Sequence, residues 1–381
     1  MKKQKICIIG DGLSGLITTL LLGKLDLQID LISSKLKKKK DNRTTAISPS
    51  NHTFLSKNLF KKNSKLFFKC KKIKLYQEKE NNSLFNFMNF ENPNTGLMYI
   101  AENKKLKSIL TSHLKKNKKI NIIKSDISEI DVDETSITIK RKKSNYDMVI
   151  LCVGKNYKII DKLIGKRLIK EDMDEVAFTS IVNHNLKFSD SKQFFLKEGP
   201  MAILPINKKN FSLIWSMNNA YKSYTDDEIK NKITSKFKII FPKKSIINLG
   251  SVNRFPIYFK FNKNFFNKNV LALGESIYSV HPVAGQGFNL VLRDIEELYK
   301  KIKKNIFLGL QLKNSQIFND LLQKRKPENL LYGLGINFTQ KFFKYNKLYD
   351  PIKTRLLKDI GRSNYIKKIG LKIADKGIIN N

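Results

Sequence analysis

The stretch from Lys5 to Gly23 restricts the fold more than any other part of the chain. KICIIG (5–10) is a short β-branched run suited to a central parallel strand. It leads directly into Gly10-Asp11-Gly12-Leu13-Ser14-Gly15, a full GxGxxG, and then into an apolar helix, LITTLLLG. In such a strand-turn-helix, Gly10 permits the tight turn, Gly12 lets the backbone approach a pyrophosphate, and Gly15 lets the helix pack against the sheet. The helix start adds free N–H groups and the positive end of a dipole. This context predicts an adenine-dinucleotide site over Gly10, Gly12, Leu13, Ser14 and Gly15.

The second strand, QIDLIS (28–33), should end in an acid that binds the adenosine ribose. It ends instead in Ser33-Ser34, so the Ser33 hydroxyl is the candidate contact, a weaker one than a carboxylate. KLKKKK (35–40) follows as an expected solvated loop.

Composition narrows the class further. A hydrophobic fraction of 41% supports a real core. Cys7, Cys70 and Cys152 are scattered without metal spacing, the four histidines do not cluster, and so neither a disulfide framework nor a metal site is expected. Seventy-three basic against 33 acidic residues give a net charge of +40. Such a field attracts anions generally, yet no nucleic-acid module accompanies it, and solvated surface lysine accounts for most of it. No apolar run approaches the ~20 residues of a membrane-spanning helix. The N-terminal lysines and apolar stretch mimic a signal peptide, but Gly10-Asp11-Gly12 interrupts its core. A cytoplasmic location is expected.

A second glycine-bearing loop lies far downstream, in GESIYSVHPVAGQGFNLVLRD (274–294). With GDGLSG (10–15), DNRTTAIS (41–48), LMYIAEN (97–103), and EGPMAILPI (198–206) followed by FSLIWS (211–216), it makes five ordered blocks. Together they resemble the FAD-dependent aromatic hydroxylases of the para-hydroxybenzoate hydroxylase type. The His-Pro before Ala-Gly-Gln-Gly is similar to their ubiquinone-biosynthesis branch, the polyprenylphenol hydroxylases.

The resemblance implies an α/β protein: a discontinuous Rossmann-like FAD-binding domain, a mixed β-sheet substrate domain and a helical C-terminal region. The corresponding divisions are 1–174 and 256–309 for FAD, 175–255 for the substrate sheet, and 310–381 for the helices. It implies that Arg43 lies near the pyrophosphate and ribityl chain. Glu275, where the family usually has Asp, would face the ribityl chain, and Pro282, Ala284, Gly285, Gln286, Gly287 and Asn289 would pass beside the flavin ring. His281 would orient that loop or touch substrate. A helix starting near Phe288 would point its N-terminus at the pyrimidine end and stabilise negative charge there. The implied reaction is hydroxylation of a polyprenylated phenol by O2 through a C4a-hydroperoxyflavin, with NAD(P)H as a transient reductant. Other ubiquinone-biosynthesis proteins are implied partners. Val153 occupies the place of the family's Asp before Gly154, which leaves open a non-catalytic FAD- or prenyl-lipid-binding role. Hydroxylation of a soluble aromatic is a further alternative.

Along the rest of the chain, the pattern predicts a helix over 50–62, a basic linker to about 96, and a helix over 103–117. Strands are expected near 120–124, 136–141 and 147–153, then a run of short strands over 175–255 with Trp215 in the core. Beyond Phe338, Phe342, Phe343, Leu348, Ile352, Leu356 and Leu357 alternate with Lys341, Lys344, Lys353, Arg355 and Lys358. That mixture suits either a peripheral helix on an anionic membrane or apolar groups packed against the cofactor domain with only the lysines facing out.

Overall fold

The computed structural model describes residues 3–34, 41, 43–60, 65–165, 167–241, 245–282, 285–344 and 350–378. The lysine run 35–40, Ala284 and Leu348 lie outside these.

The first strand, Lys5–Ile9, sits inside a six-stranded sheet between Gln28–Ser33 and Met148–Leu151. Both neighbours run parallel to it, with Ile8 opposite Leu31 on one side and Ile150 on the other. Strand Ile120–Lys124 and strand Val270–Ala272 extend the sheet in parallel. Parallel strands covered on both faces must be apolar throughout, and Ile6, Ile8, Leu31, Val149 and Ile150 are indeed buried. Helix Leu13–Leu22 is buried from Gly15 onward. Helices Asn103–Lys115 and Gly287–Phe307 pack beside it.

A nine-stranded sheet forms the second layer, built around strand Arg167–His184. That strand pairs antiparallel with Asn210–Asn218 on one side and Asn253–Asn262 on the other. The 174/175 division falls inside it. Alternation separates its two faces. Phe178, Leu213 and Trp215 point into a core closed by Ile229, Ile233 and Phe237 of helix Asp226–Ile240. Ala177, Thr179, Ser212 and Ile214 point the other way, into a cavity.

Residues 65–96 are not part of a linker, contrary to the expectation for the stretch to about 96. Strands Phe68–Cys70, Lys72–Glu78 and Leu84–Glu91 occupy them, and Lys72–Glu78 joins the nine-stranded sheet beside Ser191–Leu196. Leu75 lies opposite Met88, and a bulge at Phe87 breaks the period-two alternation so that Phe87 and Met88, though consecutive, are both buried while Asn89 is exposed.

Three long helices, Ile317–Lys344, Asp350–Arg362 and Asn364–Lys376, complete the chain. No helix among the described residues is long and apolar enough to cross a membrane. Only part of the apolar set expected to meet lipid faces outward. Phe343 stacks on Phe195 at 3.5 Å, Leu357 is buried, and Lys353 is buried with its Nζ on the Phe343 carbonyl. Phe338, Ile352 and Leu356 are exposed.

Candidate active site

One cavity of about 1120 Å³ runs from the glycine turn to the inner face of the nine-stranded sheet. Its floor is the end of the first strand. Gly10 has φ +113°, and a Cβ there would lie 2.2 Å from the Cys152 carbonyl oxygen, so only glycine lets these strands end side by side. A Cβ on Gly15 would lie 1.9 Å from the Gly10 carbonyl oxygen. Gly12 differs. A Cβ on it meets no protein atom within 4 Å and would project into open space at the helix start.

Above the floor sits a polar rim. Asp41 accepts two hydrogen bonds from the Arg43 guanidinium, at 2.9 and 3.0 Å, and one from Asn103 at 3.1 Å. Burial pushes the Asp41 carboxyl up, but these donors outweigh it and hold it below the usual carboxylate range. The Arg43 guanidinium also lies over the Phe255 ring, 5.1 Å from its centre. Across the cavity, Glu275 sits in a short 3₁₀ turn, Gly274–Ser276. Burial lowers the pKa of Lys155, an effect that Glu275 opposes and Arg43 reinforces. Burial pushes Tyr157 up to about 12, with Glu275 adding to it. The Cys152 thiol is likewise pushed up to about 12 by burial, so it fills space rather than attacking anything.

The downstream loop closes the far side. Pro282, Gly285 and Gly287 line the cavity, with Phe288 and Val291 from the helix Gly287–Phe307. This helix therefore starts against the cavity, with its positive dipole end toward it. His281 also lines the cavity and is 1% exposed. A 2.8 Å hydrogen bond joins its Nε2 to Glu175 Oε2, and Gln340 donates to Glu175 Oε1 at 2.5 Å. Loop, sheet and C-terminal helix thus meet at one carboxylate.

Not every expected contact lies here. Ser33 is buried, its carbonyl accepts from Ser125, and it is not among the cavity-lining residues. Gln286 and Asn289 line a separate, smaller cavity. Asn289 spends its amide on protein. Its Oδ1 accepts from Ser48 N at 2.8 Å and Asn51 Nδ2 at 3.0 Å, and its Nδ2 donates to the Ala46 carbonyl at 3.0 Å. Asn289 therefore fixes the loop to residues 46–51. Sequence reasoning missed Asp41, Asn103, Lys155, Glu175, Thr44 and Thr179. The last two line the cavity with buried hydroxyl oxygens that have no hydrogen-bond partner within the protein. Buried polar atoms of that kind call for a ligand or water.

The fold is that of the flavin-dependent monooxygenases. p-Nitrophenol 4-monooxygenase PnpA from Pseudomonas putida DLL-E4 superposes with a TM-score of 0.81 over 99% of both chains, at 15% identity. HpxO from Klebsiella pneumoniae, solved with FAD and uric acid, superposes with a TM-score of 0.75 over 98% of this chain and 97% of that one, at 11% identity. No family model matches the chain. Among curated proteins it is similar to ubiquinone-biosynthesis monooxygenases. It is 24% identical over 315 residues to the mitochondrial ubiquinone biosynthesis monooxygenase COQ6 of Dictyostelium discoideum, covering 68% of this chain and 64% of that protein. It is 22% identical over 195 residues to the 3-demethoxyubiquinol 3-hydroxylase of Escherichia coli K12, covering 48% and 47%. The match thus spans less than two thirds of these relatives' lengths.

Proposed function

We propose that the chain is an FAD-dependent monooxygenase that hydroxylates the ring of a polyprenylated phenol in ubiquinone biosynthesis. The observation that carries this reading is the single cavity joining the glycine turn to the sheet face that bears Thr179, Ser212 and Ile214. A dinucleotide fits its floor, because Gly12 leaves open space where a pyrophosphate can lie against the N-terminus of helix Leu13–Leu22. Gly10 to Ser14, Arg43, Glu275 and the loop from Pro282 to Gly287 are the residues assigned to it. Lys155, which interacts electrostatically with both Glu275 and Arg43, lines the same cavity.

Bound there, the flavin supplies the oxygen chemistry, reducing O2 and delivering one of its atoms to the ring. The protein's own contribution is positional and electrostatic. The start of helix Gly287–Phe307 offsets negative charge beside the loop. Pro282, Ile214, Leu204 and Phe288 surround the reacting region with apolar groups that exclude water. Thr179 offers the unsatisfied hydroxyl that a phenol oxygen can meet. Glu175, held by Gln340, keeps the His281 ring in a fixed orientation at the cavity wall.

The test is direct. FAD-loaded protein, given O2, a reductant and 2-farnesylphenol, should release the phenol with one added oxygen atom, seen by mass spectrometry. Flavin turnover that yields only hydrogen peroxide would overturn the hydroxylase reading. NADH or NADPH should bleach the flavin in rapid mixing when the phenol is present. Bleaching by neither would mean that Val153, in place of the family's acid, has removed the nicotinamide route and that a separate reductase serves the flavin.

The substrate's tail places it in a bilayer, so we also assign this protein to the membrane surface. Phe338 of helix Ile317–Lys344, Ile352 and Leu356 of helix Asp350–Arg362, and Tyr365 and Ile366 of helix Asn364–Lys376 are exposed apolar groups on the lysine-rich C-terminal region. Each nearby cation adds up to about 1 kcal/mol on an anionic leaflet. The protein should sediment with phosphatidylserine vesicles at low salt and be released as salt rises. Absence of sedimentation at low salt would sink this assignment.

A further inference from the structure

One wall of the main cavity has no part in the assignments above. Helix Asn103–Lys115 borders the cavity along its whole length, through Lys104, Lys107, Ser108, Thr111, Ser112 and Lys115. Their spacing of three and four residues puts them all on one face, while Leu106, Leu110 and Leu114 bury another face in the core. At ~1.5 Å per residue this wall runs for roughly 17 Å. It is cationic and hydroxyl-bearing throughout, and the helix, NKKLKSILTSHLK, contains no acid. Helix Gly287–Phe307 is different, since its Lys300 and Lys301 pair with Glu296 and Glu297 one turn away.

Two observations tie this wall to the dinucleotide. Lys107 Nζ lies 3.3 Å from Asp11 Oδ2, so the wall meets the GxGxxG turn at the start of the helix. Lys107 is half-buried there, and burial lowers its pKa, an effect that Asp41 opposes. The second observation concerns the end of strand Gln28–Ser33, where a ribose contact was expected. Ser33 is buried, the Ser34 hydroxyl donates to Asp126 Oδ1 at 3.0 Å, and neither residue lines the cavity. The hydroxyls that do line it on this side belong to Ser108, Thr111 and Ser112, with Thr111 half-buried.

We propose that this helix face, in place of the end of the second strand, holds the adenosine-phosphate half of the FAD, an inference that rests on the FAD assignment above. Lys107 serves the phosphate on the adenosine side, and Ser108 and Thr111 offer hydroxyls to the ribose. Lys104 and Lys115 add to the positive field that holds an anion there. A carboxylate can only accept from ribose hydroxyls, whereas a threonine hydroxyl both donates and accepts. Cations in place of the acid also make retention of the cofactor fall as salt rises.

Thr111→Val and Lys107→Met test it, with Ser33→Ala as the contrast at the strand end. Each protein, stripped of flavin, is titrated with FAD and with FMN, and binding is read from the quenching of flavin fluorescence. FMN keeps the ring, the ribityl chain and one phosphate but lacks the adenosine half. Thr111→Val and Lys107→Met should each weaken FAD by about tenfold, the loss of one hydrogen bond to the ligand. Thr111→Val should leave FMN within about twofold, and Ser33→Ala should leave FAD within the same margin. FAD affinity should fall less steeply with salt in Lys107→Met than in the parent protein. Far-UV circular dichroism and thermal midpoint identify a variant that has misfolded, and the other variant then decides. Unchanged FAD affinity in the folded variants, equal weakening of FAD and FMN by Thr111→Val, or a loss in Ser33→Ala as large as in Thr111→Val would overturn the helix assignment alone. Binding of neither flavin to the parent protein would overturn the FAD assignment and this inference with it.

Discussion

Gly12→Val is expected to give a folded protein that purifies without colour. A Cβ at position 12 meets no protein atom within 4 Å, so the backbone of the sheet and its first helix has nothing to rearrange. What it does enter is the space against the helix start assigned to the pyrophosphate. Overfilling a close-packed contact costs roughly 1–3 kcal/mol, and here it also displaces charged oxygens from backbone N–H groups. A loss of at least about 3 kcal/mol, more than a hundredfold in FAD affinity, is the expected outcome. Gly15→Val is the contrasting control. Its Cβ would sit 1.9 Å from the Gly10 carbonyl oxygen, inside backbone that cannot yield, so that protein should fail to fold at all. Flavin absorbance after gel filtration, paired with far-UV circular dichroism, separates the two outcomes. A Gly12→Val protein that kept a full complement of FAD would put the dinucleotide elsewhere.

The contrast between those glycines shows how far the sequence can be read. GxGxxG announces a strand, a turn and a helix because each glycine answers a local steric demand. The hexapeptide already separates Gly12, which faces open space, from Gly15, which meets the Gly10 carbonyl within the same motif. What it does not show is the neighbour of Gly10, the carbonyl of Cys152 far along the chain. The parallel sheet was legible because runs such as Ile6–Ile9 and MVIL carry no polar residue to place on a solvent face. Strands Lys72–Glu78 and Leu84–Glu91 were harder. Their alternation is present on either side of the bulge, but lysine and asparagine are so common throughout the chain that a basic linker looked equally natural.

The site divides along the same line. The position of Pro282, Gly285 and Gly287 is implied by the family resemblance of their block, and all three line the main cavity. Asp41, Glu175 and Thr179 carry no such signal, since nothing local distinguishes them from the other acids and threonines of the chain. Their meaning comes from partners far along the sequence: Asn103 for Asp41, His281 and Gln340 for Glu175. Asn289 sits inside the most specific block of the sequence, and its side-chain amide is committed to Ser48, Asn51 and Ala46, a fastening that the block alone does not reveal.

Asp294 ends that same block, and Asp294→Ala is expected to cost about 3–5 kcal/mol of stability, the usual loss when one member of a buried ion pair is removed. Its carboxylate accepts from Arg325 Nε at 2.6 Å, from Tyr278 OH at 2.5 Å, and from Asn329 at 3.0 Å on each oxygen. All four residues are buried, so the loss leaves a guanidinium, a phenol and an amide short of an acceptor. The damage should extend beyond stability. Tyr278 lines the main cavity just ahead of the His281 loop, and Asp294 lies on the helix that starts at Gly287. The substitution therefore unfastens the loop from helix Ile317–Lys344, and FAD retention should fall with it. Tyr278→Phe removes one hydrogen bond and keeps the ring, so it should cost only about 1.5–3 kcal/mol and leave the protein yellow. Arg325 also pairs with the buried Glu328, so adding Arg325→Met to Asp294→Leu would strand that carboxylate and should not recover the loss. Urea unfolding, followed by circular dichroism and flavin fluorescence on the same samples, measures both effects. If Asp294→Ala unfolded within about 1 kcal/mol of the parent protein, the cluster would not be what fastens the C-terminal helix to the flavin loop.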